Sequence, residues 1–179
     1  MRIFTSFALI VAPVVAHACP NVGERPDRYG EIYQELQTVE NEAEARLLGN
    51  ELWEFWAVAP DVQAQELLDL GMTRRAQFDF DGATESFSAL IEYCPHFAEG
   101  YNQRAFVSFI QSDYVSALQD LERAIELAPD HIAAIAGQGL TLRQLGRTEA
   151  AQTALRRALA LNPWLPERQY MTDPVEEEI

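Results

Sequence analysis

Apolar residues recur along the chain at spacings of three and four, the pattern of helices that bury one face. Ala83, Phe87 and Leu90 illustrate it, because their spacing places all three on the same side of a helix. Short polar turns separate such segments. Prolines end several of them, because proline donates no backbone hydrogen bond and disfavours helical geometry in the residue before it. The pattern predicts an all-α chain of helix–turn–helix units.

The whole pattern returns every 34 residues, beginning with Pro95, Pro129 and Pro163. Further positions keep the same register with residues of similar kind: Gly71, Ala105 and Gly139; Ala83, Ala117 and Ala151; Phe87, Leu121 and Leu155; Leu90, Ala124 and Ala158. A fixed period of this length is typical of stacked helical hairpins. The small residues predict places where two helices approach closely.

With this register, residues 64–165 resemble three tetratricopeptide repeats, at 64–97, 98–131 and 132–165. The resemblance implies a short right-handed superhelix, an α-solenoid, in which the first helix of each repeat lines a concave wall. It also implies a protein that binds other proteins or peptides. The segments Leu-Trp-Glu-Phe-Trp at 52–56 and Phe-Ala-Glu-Gly-Tyr-Asn at 97–102 resemble an exported bacterial group of such proteins.

The regions around the repeats are predicted from local patterns. Residues 31–60 predict a helical cap or degenerate repeat that covers the apolar side of the first repeat. Its Trp53 and Trp56 are interpreted as packing anchors, with a ligand platform as the alternative. We expect a linker at 19–30, and a short capping segment followed by an acidic tail at 166–179.

Residues 1–18 have the composition of a secretory signal peptide, with an apolar run behind Arg2 and small residues at Ala16 and Ala18. Cleavage before Cys19 is expected, with a cut after Ala16 as the alternative, and either predicts a periplasmic or secreted product. Lipidation of Cys19 is disfavoured because His17 stands in a position where the lipoprotein motif requires a small residue. No later segment is apolar over enough residues to predict a membrane span.

The net charge limits the classes of partner, and the cysteine content limits the possible cross-links and metal sites. The formal net charge of −15 disfavours nucleic acid and acidic membrane surfaces, which an anionic protein repels. Cys19 and Cys94 are the two cysteines, and in an oxidising compartment they are candidates for a disulfide. Two free thiols, or a metal site of Cys94 with His96, are the alternatives.

No catalytic motif stands out. The sequence lacks a nucleophile elbow, a glycine-rich phosphate loop and an HExxH motif, so no catalytic residue, no metal site and no cofactor is predicted. We expect a non-catalytic scaffold or assembly factor. The alternatives are a structural subunit of a fixed complex or oligomer, and a metal or cofactor maturation accessory that uses Cys19, Cys94 and His96.

A peptide-binding groove is predicted on the concave wall, where one stripe of the first helices faces inward. The stripe comprises Leu68, Met72, Arg75, Asn102, Phe106, Phe109, Ala136, Leu140 and Arg143. Such a groove is apolar in the middle with a cationic rim at each end. It suits a peptide with apolar anchors and one acidic group. Phe106, Phe109 and Leu140 could instead be packing residues.

Overall fold

The computed structural model describes residues 19–172, and within that range every regular element is helical. The predicted all-α fold is therefore confirmed. The expected signal peptide at 1–18 and the end of the acidic tail, 173–179, lie outside the described residues.

The chain begins with two helices, α1 (Asp27–Leu36) and α2 (Glu42–Ala57), which we call the N-terminal hairpin. Helix α1 starts four residues before the predicted Glu31, directly after Pro26. Proline is compatible with this place because the first N–H groups of a helix have no intrahelical acceptor. Asn41 caps α2 by accepting a hydrogen bond from the backbone N–H of Glu44.

Three further hairpins form the solenoid and are called repeats 1, 2 and 3. Their helices are α3 (Val62–Ala76) with α4 (Phe80–Tyr93), α5 (Ala98–Ile110) with α6 (Tyr114–Leu127), and α7 (Ile132–Gln144) with α8 (Thr148–Leu161). Each helix packs mainly on its partner in the same repeat and then on the adjoining helix of the next repeat. This is the predicted α-solenoid, and α3, α5 and α7 form its concave wall.

The small residues in register mark close helix contacts, as predicted. Ala83, Ala117 and Ala151 are at most 1% exposed. A Cβ atom added to Gly139 would lie 2.6 Å from the Leu155 side chain and 3.2 Å from its backbone nitrogen. Helices α7 and α8 can therefore approach at this point only because residue 139 has no side chain.

The N-terminal hairpin does not cover repeat 1, so that part of the prediction is wrong. It packs instead on the junction of repeats 2 and 3. The Tyr29 hydroxyl donates to the Asp130 carboxylate at 2.9 Å, and the Tyr33 hydroxyl donates to the Asp130 carbonyl at 2.7 Å. The Gln37 amide donates to the Leu161 carbonyl at 2.9 Å.

Apolar contacts hold the hairpin to the same surface. Its buried Ile32, Leu36, Leu52 and Trp56 belong to one core cluster with residues from the loops and helix ends of repeats 2 and 3, namely Ala98, Ala128 and Ile132. A second cluster fills repeat 1 and is separate from it. The hairpin is therefore attached through a core shared with repeats 2 and 3.

After α8 the chain forms a short 3-10 helix, Pro166–Tyr170, in the predicted capping segment. The Arg168 guanidinium contacts the Glu42 carboxylate at 3.1 Å, which links this segment to the start of α2. The Gln152 amide donates to the Tyr170 carbonyl at 2.9 Å. The C-terminal segment and the N-terminal hairpin thus meet on the side of the molecule that carries the concave wall.

Candidate functional site: a cavity on the concave wall

A cavity of about 430 Å³ lies on the concave wall, where α5 and α7 run side by side. Helix α5 contributes Phe106 and Phe109, and helix α7 contributes Ala136 and Leu140. Trp53 from the N-terminal hairpin also lines it. The cavity is therefore bounded by two parts of the chain that are far apart in sequence.

Six of the nine predicted groove residues line this cavity: Arg75, Asn102, Phe106, Phe109, Ala136 and Leu140. Phe106 is 49% exposed, so the fold buries only about half of its side chain. The spacing argument placed these side chains on one surface. That they bind a peptide remains a prediction.

The other three predicted groove residues lie elsewhere. Leu68 is fully buried in the core of repeat 1, and Met72 packs against the same core, because α3 turns this part of its face toward α4. The Arg143 guanidinium lies 4.6 Å from the ring centroid of Tyr170, in the C-terminal segment. The predicted cationic rim at this end of the groove is therefore not part of the cavity.

Arg75 is the cation that does reach the cavity, and it is held by neighbours on α5. Its guanidinium donates a hydrogen bond to the Gln103 side-chain carbonyl and lies 4.8 Å from the ring centroid of Phe106. Burial lowers the pKa of Arg75 below its usual range, and the nearby Glu99 carboxylate partly opposes that shift. The charge is therefore partly desolvated and already engaged.

Below the cavity a buried polar network joins repeats 2 and 3. The Glu99 carboxylate and the His131 ring are both essentially inaccessible, and Glu99 Oε2 lies 2.7 Å from His131 Nε2. Glu99 also accepts hydrogen bonds from the side-chain amides of Asn102 and Gln103. Every polar atom of this carboxylate is thus satisfied inside the protein.

His131 also connects the network to the N-terminal hairpin. Its Nδ1 accepts a hydrogen bond from the backbone N–H of Ala134 at 3.4 Å and so caps α7. With Nδ1 as an acceptor, Nε2 is the nitrogen that donates to Glu99. The Trp56 ring stacks on the imidazole with centroids 4.0 Å apart. Trp56 is therefore a packing anchor, as predicted, whereas Trp53 is 45% exposed and lines the cavity.

Several cavity residues were missed by the sequence reasoning: Ala133, Gly137, Thr141 and the segment 165–167. Ala133 could have been found, because it continues the stripe of Ala136 and Leu140 one turn earlier at the same helical spacing. Trp53 and the segment 165–167 could not. Their positions depend on how the ends of the chain fold back, which no local spacing encodes.

Cys19 and Cys94 form a disulfide, with Cα atoms 5.1 Å apart. The bond attaches the segment before α1 to the end of α4. It uses both sulfur atoms, so the alternatives with free thiols or a metal site do not describe this state. Across residues 19–172, no group of three or more His, Cys, Asp or Glu side chains is arranged to hold a metal ion.

None of the helices in the described range combines the length and apolar character that crossing a membrane requires.

Comparison with known proteins supports the repeat assignment. Residues 96–163 match the family model for the tetratricopeptide repeat. Tetratricopeptide repeat protein 36 homolog of Nematostella vectensis is 40% identical over 74 residues, which are 41% of this chain and 41% of that protein. Tetratricopeptide repeat protein 36 of Xenopus tropicalis is 34% identical over 115 residues, which are 61% of this chain and 56% of that protein.

A solved structure has a similar fold. The first TPR domain of Spaghetti (RPAP3), bound to the HSP90 peptide SRMEEVD, superposes with a TM-score of 0.59 at 23% identity and covers 62% of this chain and 88% of that one. Residues 96–163 thus match tetratricopeptide repeats, and the chain has the solenoid fold of such domains. It spans only about half the length of the two relatives named above, and both are animal proteins.

Proposed function

We propose that this tetratricopeptide repeat chain is a non-catalytic scaffold or assembly factor that binds a polypeptide segment on its concave wall. The observation that carries the proposal is the cavity between α5 and α7, which is lined by the exposed Phe106 and the half-buried Leu140. Exposed apolar surface within a concavity usually marks an interaction site. The peptide held by the related RPAP3 domain gives the same fold a precedent for this use.

The test is a double variant, Phe106→Ser with Leu140→Ser, used in cross-linking and recovery of partners from the periplasm with mass spectrometry. Partners that cross-link to the wild-type chain should be lost from the variant, because the substitutions remove the apolar contacts and leave the helices intact. Ile110→Ser is the matched control, since Ile110 is also exposed on α5 but does not line the cavity.

Helical circular dichroism and the melting temperature must stay near wild type for the double variant. If it folds and recovers every partner that the control recovers, binding lies elsewhere. If it unfolds, Phe106 and Leu140 are structural residues and the assignment of the groove is wrong.

The proposed site of action is the periplasm, as part of an exported bacterial protein. Two features support it: the secretory pattern of residues 1–18 and the disulfide, which persists in oxidising compartments. A disulfide at Cys19 also leaves no sulfur for a lipid thioether. Intact mass of the protein isolated from the periplasm without reductant should match a chain that begins at Cys19, unlipidated and lacking two hydrogens. A chain that keeps residues 1–16 or carries an added lipid mass would contradict the proposal.

A further inference from the structure

We infer that the cavity is a composite pocket, walled on one side by the N-terminal hairpin, that receives one bulky uncharged apolar side chain from a polypeptide partner. This inference rests on the proposed function and makes it more specific. It replaces the predicted groove with cationic rims by a pocket that is bounded at both ends and takes one anchor.

Both ends of the described chain contribute walls to the site. Trp53 lines the cavity from the N-terminal hairpin, and Leu165 and Pro166 line it from the C-terminal segment. The hairpin is held by the Trp56–His131 stack, and the C-terminal segment is held to α8 by hydrogen bonds between Gln152 and the backbone of Tyr170 and Thr172. An extended groove along the solenoid would be open at these places.

The size and the lining of the cavity suit an apolar side chain. A volume of about 430 Å³ lies near the lower end of the range for ligand cavities, roughly 300–1,000 Å³. Phe106, Phe109 and Leu140 provide apolar walls, and the small side chain of Ala133 leaves the space between them open. A pocket of this kind fits a compact apolar anchor of the type that dominates the energetics of protein interfaces.

The charged groups that line the cavity do not favour an acidic partner. Arg75 lines the cavity, but Glu167 lines it too, and the Arg75 guanidinium is already bonded to Gln103 and placed against the Phe106 ring. Arg143, the second cation of the predicted groove, lies against Tyr170 instead. One positive and one negative group leave the pocket without a net charge, so an acidic anchor gains no advantage from it.

The experiment uses the oxidised full chain and a phage library of random dodecapeptides. The enriched clones should share one bulky apolar residue, such as Trp, Phe or Leu, without enrichment of Asp or Glu around it. Their capture should change by less than about twofold between 0.05 and 0.5 M NaCl, because salt screens charge pairs and leaves apolar contacts in place.

Two matched pairs of variants locate the binding. Ala133→Leu fills the cavity from the first turn of α7, and Ala150→Leu adds the same side chain at an exposed site in the first turn of α8. Trp53→Ala removes the hairpin wall, and Leu47→Ala trims an exposed residue of the same helix α2. Capture should fall about tenfold or more for Ala133→Leu and Trp53→Ala, and less than about twofold for the two controls.

The outcomes separate the inference from the proposed function. Enrichment of acidic clones with strong salt dependence, or full capture by Ala133→Leu and Trp53→Ala alongside loss in the Phe106→Ser, Leu140→Ser variant, would overturn the composite pocket while peptide binding stands. If no clone is enriched on the wild-type chain, both fail together. Because Trp53 is exposed, its removal tests the pocket even if Ala133→Leu unfolds.

Discussion

The N-terminal hairpin and the three repeats are both pairs of helices, but different contacts hold them in place. The two helices of a repeat cross closely at small residues such as Gly139, and each repeat then packs on its neighbours in chain order. The hairpin docks on a surface about one hundred residues further along, where Tyr29 reaches Asp130 across a separation of 101. Its contacts are an apolar cluster shared with loops and helix ends, the Trp56–His131 stack and hydrogen bonds to loops.

Helical hairpins with similar sequence patterns can therefore differ in what holds them. The repeats pack on their neighbours in sequence, whereas the N-terminal hairpin packs on distant residues. Each repeat contacts only its neighbours, and the same kind of contact recurs from one repeat to the next. The hairpin depends on a few particular residues of repeats 2 and 3, with His131 and Glu99 beneath it. Variants can therefore affect one region and spare the other.

The largest effect is expected at the point where the two regions meet. Glu99→Ala should lower the free energy of unfolding by about 3 kcal/mol or more, because it leaves His131 Nε2 and two side-chain amides buried without an acceptor. Urea unfolding measures the loss. Glu126→Ala is the control, since Glu126 pairs with Arg123 at an exposed site and should change stability by less than about 0.5 kcal/mol. Equal effects of the two variants would show that the buried network does not stabilise the junction.

The disulfide should have the next largest effect. Cys19→Ala should destabilise the protein by about 2–4 kcal/mol in the chain-entropy account, because the bond closes a loop across a sequence separation of 75. Reducing the wild-type protein should give the same loss. Further addition of reductant to Cys19→Ala should change nothing, and a further change there would assign the effect to another cause.

Glycine substitutions should have opposite signs in the two regions. Gly139→Ala should cost about 1–3 kcal/mol because the new Cβ overlaps Leu155, including its backbone nitrogen. Gly49→Ala, in α2 of the hairpin, should stabilise by about 0.5–1 kcal/mol, since an added Cβ there meets no atom within 4 Å and alanine favours a helix. Thermal melts of the two variants test the pair. The same sign for both would contradict the close packing in repeat 3 or the open surface of α2.

The smallest effect concerns the docking of the hairpin at high pH. Burial raises the pKa of both Tyr29 and Tyr33 above the usual value for tyrosine, about 10. The folded state therefore holds these protons more tightly than the unfolded state. The resulting stability is fully present below pH of about 10 and is lost as pH rises beyond it.

Tyrosinate absorbance should accordingly show these two phenols ionising after the exposed ones. The late part should disappear in the Tyr29→Phe, Tyr33→Phe variant and remain in Tyr114→Phe, which lacks a phenol outside the hairpin. A late phase unchanged by the double substitution would mean that the hairpin does not bury these rings.

Most of the solenoid could be predicted from the sequence because its contacts repeat. The register of Pro95, Pro129 and Pro163 located the hairpins, and the small residues located the helix crossings. Helical spacing also placed Phe106 and Leu140 on one surface of the concave wall. Each of these follows from local geometry, which a single sequence contains.

The composite cavity could not be predicted, because the wall that contains Trp53 is placed by contacts that do not recur along the sequence. The apolar face of α1, with Ile32 and Leu36, indicates that the helix is covered but not by what. Nothing around Trp56 points to His131, 75 residues later. Likewise, helical spacing predicts the face of α7 on which Arg143 lies. Its contact with the Tyr170 ring depends on the fold of the C-terminal segment and could not be predicted.

The disulfide has a consequence for the unfolded chain. Cys19 lies before α1 and Cys94 at the end of α4, so the bond closes a loop that contains the whole N-terminal hairpin. Asp130, to which Tyr29 and Tyr33 donate, lies outside that loop. An unfolded chain that keeps the bond therefore searches fewer conformations of the hairpin before repeats 2 and 3 receive it.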